Sequence, residues 1–211
     1  MTRIAVVTGG TRGIGEAISL KLKEKGRFVI ANYGGNDVAA KEFSDRTGIA
    51  VRKWDVGNHQ ACMDACAAIE SEFGPVDIMV NNAGITRDAT MVKMTFEQWD
   101  EVIRVDLTGC FNMAKAVFAG MRERKWGRIV NIASVHGLVA SIHKGAYLAA
   151  KHGLVGLSKG VALETATHGI TVNCICPGWT DTAIIQPQIE ARAAQCGGDR
   201  SAGIRELLRE K

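Results

Sequence analysis

Tyr147 and Lys151 stand four residues apart in a stretch with helical spacing, so both side chains leave the same helix face. A free tyrosine titrates near about 10 and is protonated at neutral pH. It donates a proton to a carbonyl oxygen more readily when the phenolate left behind is stabilised. An ammonium one helical turn away does this by Coulomb attraction. The expectation is a phenol made more acidic by its neighbour, and a shift of about two to three units corresponds to roughly 3–4 kcal/mol. Ser134, just beyond an apolar run at 128–132, can donate a hydrogen bond to the same oxygen. A lone Y-x-x-x-K spacing usually marks a surface pair, so the assignment depends on what else the chain carries.

A glycine loop comes first. Thr8-Gly9-Gly10-Thr11-Arg12-Gly13-Ile14-Gly15 follows an apolar run at 4–7 and opens a helical stretch at 14–25. In that context glycines let the backbone turn and approach a pyrophosphate, which the helix N-terminus then meets. The spacing is G-x-x-x-G-x-G, not G-x-G-x-x-G. A plain strand-to-helix turn is the competing reading. Charge bears on which dinucleotide would bind. An acidic residue closing the second strand would favour NAD(H) and repel a 2′-phosphate. Here that strand ends Ala31-Asn32-Tyr33-Gly34-Gly35, with no carboxylate before Asp37, while Arg12 can pair with a phosphate. NADP(H) is favoured and NAD(H) stays open.

The elements that must hold these residues alternate. Strand-like runs at 4–7, 28–31, 50–54, 76–80, 128–132 and 170–176 are separated by helical patterns at 14–25, 38–43, 62–73 and 147–165. Thr95-Phe96-Glu97-Gln98 has capping-box spacing and should open one long helix reaching toward Arg122. Such alternation predicts an α/β fold, a doubly wound parallel sheet in a single domain spanning 1–211. Residues 186–211 read as one or two short helices around Cys196-Gly197-Gly198. The net charge of +4 carries no Lys/Arg block, which argues against a nucleic-acid partner. No apolar run is long enough to span a bilayer and no secretory signal opens the chain, so no membrane association and a cytoplasmic location are expected. The six cysteines form no C-x-x-C pair and read as buried hydrophobes in a reducing compartment, with no metal site.

Taken in order, the glycine loop, Asp55-Val56, Asn81-Asn82-Ala83-Gly84, Ser134, Tyr147-x-x-x-Lys151 and Pro177-Gly178 with Thr182 resemble the short-chain dehydrogenase/reductase family over essentially the whole chain. That resemblance implies a Rossmann fold, an NAD(P)-dependent oxidoreductase and a homo-oligomer, tetramer or dimer. It implies catalytic roles for Ser134, Tyr147 and Lys151. Cofactor contacts would come from Gly9, Thr11, Arg12, Gly13, Ile14, Gly15, Asp55, Val56, Asn82, Ala83 and Gly84. Tyr147, Lys151, Pro177, Gly178 and Thr182 would meet the nicotinamide end. One departure stands out: the family's catalytic helix asparagine is replaced by Asp106, which could keep the backbone role while adding a charge.

The substrate implied differs between the two halves. The N-terminal half, with Asn82 to Asp88 and Trp126 to Asn131, resembles acetoacetyl-CoA reductases. The C-terminal half, from Ser134 through His136 and Lys144 to Trp179, resembles D-3-hydroxybutyrate dehydrogenases. In the latter a His, a Lys and two Gln hold a free carboxylate. His136, Lys144 and Gln188 match three of those positions, and Thr86 stands at the fourth. A cation near Tyr147 favours acetoacetate and D-3-hydroxybutyrate, with acetoacetyl-CoA second. The rival from another class is a non-catalytic cofactor-binding regulator on the same fold. Relatives continue with a further helix and strand, so the sequence reads as lacking that segment, with 183–211 serving as substrate-lid helices.

Overall fold

A computed structural model describes residues 2–209. Six strands form one sheet: β1 (Ile4–Val7), β2 (Phe28–Tyr33), β3 (Ala50–Lys53), β4 (Val76–Asn81), β5 (Gly127–Ile132) and β6 (Ile170–Ile175). Their order is β3-β2-β1-β4-β5-β6, and every pairing is parallel. The chain reverses its direction of travel across the sheet between β1 and β4. In such sheets this switch point opens a crevice at the carboxyl ends of the strands. The strands are apolar on both faces because helices cover both. Beneath α1 (Gly13–Glu24) and α2 (Asp37–Thr47) lie Val7, Ala31 and Val80, packed against Phe43 of α2. On the other face α3 (His59–Phe73), α5 (Gly109–Glu123) and α6 (Gly145–Thr165) enclose Trp54, Met79, Met113, Met121 and Ile129.

The predicted strands are all present, with ends displaced by a residue or two. Helix α2 runs past residue 43 because it is delimited by caps rather than by apolar spacing. The Asn36 side chain accepts from Ala39 N–H at 3.0 Å, and Gly48 ends the helix with φ of 64°. Thr95 and Gln98 form the reciprocal capping box, 3.0 and 3.2 Å, that opens α4 (Phe96–Ile103). The single long helix expected from there to Arg122 is interrupted. Residues Arg104–Thr108 form a π turn between α4 and α5, in which Gly109 N–H reaches back to the Arg104 carbonyl. The widened turn carries Asp106, whose side chain is fully buried. Single π turns of this kind concentrate at functional sites.

The chain divides into two compact units, Met1–Cys176 and Pro177–Lys211. In the second unit α7 (Gln186–Gln195) packs on α8 (Arg200–Arg209), burying Ile189, Ala193 and Leu207. Asp199 caps α8 by accepting from Ser201 and Ala202 N–H at 2.8 and 3.1 Å. Among the described residues no helix is long and apolar enough to cross a membrane, and no cluster of side chains could hold a metal ion. All six cysteines are free thiols.

Candidate active site

The site is built where β4 and β5 end and α6 begins. Lys151 sits one turn after Tyr147 on α6 and is almost wholly buried. Three groups hold its ammonium. It donates to the Ile132 carbonyl at the end of β5, 3.2 Å, and pairs with the Asp106 carboxylate at 3.0 Å. It also lies 5.4 Å from the Tyr147 ring centroid. The other Asp106 oxygen accepts from Ile85 N–H at 2.8 Å. Gly84 makes room for this carboxylate, since a Cβ there would stand 2.8 Å from Asp106 Oδ2. Asp106, which stands where the resemblance implies an asparagine, is thus a counter-ion as well as a backbone acceptor of the Cys110 thiol.

Burial decides the electrostatics. Desolvation alone would lower the Lys151 pKa, but Asp106 and then Tyr147 outweigh it and hold the ammonium above the ordinary lysine range. Burial likewise raises the Asp106 carboxyl, against the pull of Lys151. Tyr147 corrects the expectation of an acidified phenol. Its pKa lies above the usual tyrosine value, because burial raises it more than Lys151 lowers it, and Asp106 and Asp88 push the same way as burial. The Ser134 hydroxyl hydrogen-bonds Tyr147 and opposes that rise. Ser134 also accepts from His136 N–H at 3.1 Å, and the His136 ring meets the Tyr147 ring edge-on at 6.1 Å between centroids. Ser134, His136, Tyr147, Lys151 and Asp106 therefore converge.

The glycine loop fits a dinucleotide. The N-terminus of α1 has no side-chain cap, so its first N–H groups are left for an anion. Gly15 is packed so closely on the loop that an added Cβ would lie 2.1 Å from Gly9 O. Asn82 secures that contact from the far side of the switch point, donating to the carbonyls of Thr8 and Gly9 at 2.9 and 3.1 Å. The Thr8 hydroxyl in turn accepts from Asn82 and Ala83 N–H. The cradle is thus a backbone surface closed by Asn82. Gly15→Ala is expected to cost about 1–3 kcal/mol through overpacking and to weaken NAD(P)H binding. Thermal unfolding and a fluorescence titration with NADPH check both; unchanged affinity would contradict the assignment.

The family model for short chain dehydrogenase matches residues 3–193. The chain belongs to that family. It is an oxidoreductase, which removes the non-catalytic regulator expected as a rival. This short chain dehydrogenase is 55% identical to an acetoacetyl-CoA reductase of Rhizobium meliloti over 186 residues, covering 88% of the chain and 77% of the relative. It is 45% identical to a D-beta-hydroxybutyrate dehydrogenase of Cupriavidus necator over 216 aligned positions, covering 99% and 83%. A 3-oxoacyl-[acyl-carrier-protein] reductase of Vibrio cholerae is 38% identical over 211 positions.

Other predicted residues of the dehydrogenase fall in different settings. Asp55 accepts from Gly57 N–H at 2.8 Å and pairs with Arg104, while Val56 is buried against Gly109. Thr11 is half-buried and Arg12 exposed, in the turn that leads into α1. Thr86 is anchored through its carbonyl, which accepts from Arg87, itself paired with Glu101. Lys144 is buried at the first turn of α6 and pairs with Asp88. Pro177, Gly178, Thr182 and Gln188 belong to the second unit. Sequence reasoning missed Asp88, Arg104 and the Ile132 carbonyl. The first two act through partners dozens of positions away and left no local signal.

Proposed function

We propose that this chain interconverts a 3-oxo and a 3-hydroxy group on a short acyl substrate, with NADP(H) as its preferred cofactor. The observation that carries the proposal is the buried line of Asp106, Lys151 and Tyr147 with Ser134 alongside. The reduced nicotinamide supplies the hydride when bound. Tyr147 Oη gives its proton to the substrate oxygen that takes up negative charge, and Ser134 Oγ hydrogen-bonds that oxygen. Lys151, kept protonated by Asp106, faces the phenolate so formed. In oxidation the same groups act in reverse, with the phenolate as base.

The NADP(H) preference is supported by charge. Asp37, the first carboxylate after β2, is engaged by Lys53 at 2.9 Å, while Arg12 remains at the loop. For Pro177, Gly178, Thr182 and Gln188, and for a lid role of 183–211, support comes from the sequence resemblance, as it does for a homo-oligomer. Free thiols throughout support a reducing, cytoplasmic setting. The relatives' names favour acetoacetyl-CoA or D-3-hydroxybutyrate as substrates. The test is loss of reduced-nicotinamide absorbance with NADPH or NADH and each of acetoacetyl-CoA and acetoacetate. Turnover faster with NADPH than NADH is expected. No oxidation of either cofactor with either substrate would overturn the proposal.

A further inference from the structure

The Lys144 ammonium, placed by the resemblance where a substrate carboxylate would bind, already has a carboxylate of this chain. Its side chain is 9% exposed and pairs with Asp88. Two backbone contacts fix the arrangement. Ala89 N–H donates to the His143 carbonyl at 2.9 Å, and Ala89 and Lys144 form a parallel bridge. The segment carrying Asp88 is therefore stitched to the residues that open α6, and His143 takes a left-handed φ of 65° in that junction. Upstream, Arg87 is clamped to Glu101 by two hydrogen bonds of 2.8 and 2.9 Å, which holds the same segment from its other side. The pair lies within the field of the reacting phenol, since Asp88 raises the Tyr147 pKa. At the neighbouring position where the resemblance calls for a glutamine amide, this chain has Thr86.

We propose that the Asp88–Lys144 pair makes this site selective for 3-oxo acyl groups whose far end is neutral, as in a thioester, over the free 3-oxo acid. The physical reason is charge balance around a buried ammonium, whose partner carboxylate keeps 28% of its side chain exposed. A substrate carboxylate arriving at Lys144 meets an ammonium already neutralised. It would leave two carboxylates sharing one cation, a net negative cluster that water at the exposed edge of Asp88 screens only in part. A thioester carbonyl carries no charge and needs no counter-ion. Asp88 is thus a specificity-determining residue, acting through Lys144 and not on the reacting carbon. The inference rests on the 3-oxo acyl reading above and names the substrate class within it.

The test compares acetoacetyl-CoA, ethyl acetoacetate and acetoacetate at saturating NADPH in the native chain, Asp88→Asn, Asp88→Ser and Asp88→Glu. Ethyl acetoacetate separates end-group charge from the presence of the CoA moiety. The native chain is expected to show kcat/KM for acetoacetate at least a hundredfold below that for acetoacetyl-CoA, and below that for the ester. Asp88→Asn and Asp88→Ser should raise kcat/KM for acetoacetate tenfold or more, mainly through KM, and change the ester by less than threefold. Asp88→Glu should keep the native discrimination. Native turnover of acetoacetate equal to the ester overturns the inference without any variant. So does a neutral variant that turns over the ester but gains nothing on the acid. Absence of turnover with all three compounds removes the 3-oxo acyl reading itself, a result distinct from either.

Discussion

Tyr147→Phe should lower kcat for reduction roughly a thousandfold, within the range a positioned proton donor supplies, while the reduced cofactor still binds within a few-fold of its native affinity. The substitution removes one oxygen and leaves the ring beside His136 and Lys151 in place. Fold and cofactor cradle are therefore spared, and the loss falls on the chemical step. The pH profile of the native enzyme gives the complementary readout. In the proposed mechanism reduction needs the protonated phenol, and burial holds the Tyr147 pKa above that of ordinary tyrosine. The rate of reduction should therefore stay level through neutral pH and fall only above about pH 10. Oxidation needs the phenolate and should rise toward the same region. Single-turnover kinetics at several pH values, with affinity measured separately, checks both; turnover in Tyr147→Phe within tenfold of native would end the assignment.

Lys151→Met should be the most destabilising single change in the site. It leaves the Asp106 carboxylate, fully buried, without its cation. Breaking a buried pair from one side costs about 3–5 kcal/mol, because the remaining charge has no compensation. The double variant Lys151→Met with Asp106→Asn should regain most of that stability. An asparagine amide oxygen can still accept from Ile85 N–H, and no charge is stranded. It should not regain activity, since the phenolate of Tyr147 would still lack an ammonium. Urea unfolding gives the stabilities and the reductase assay gives the activity. A single variant as stable as the double would mean that Asp106 is neutral in the folded chain.

Much of this architecture was legible because its determinants are local. The Tyr147–Lys151 spacing places two side chains on one helix face whatever surrounds them. The glycine loop sits between a strand and a helix whose apolar patterns differ in period. The capping box at Thr95 and Gln98 is four consecutive residues and formed as read. What stayed hidden is non-local. The direction of the Tyr147 shift depends on how deeply α6 is buried, which no spacing encodes. The partnership of Asp88 with Lys144 spans 56 positions. The π turn at Arg104–Thr108 contains neither proline nor glycine, so no helix-breaking residue within it marks it.

That turn has a consequence for how the helix can be shared between neighbours. An α-helix advances about 100° per residue, so one residue inserted into its winding resets which face looks inward from that point on. Upstream of the insertion α4 packs against α6, with Val102 buried in a cluster with Ala146 and Ala150. Downstream α5 packs against α3 and β4. The extra residue is a phase change between two binding contracts. Excising it would bring one half of the continuous helix out of step with its partners and swing Asp106 away from the ammonium it serves.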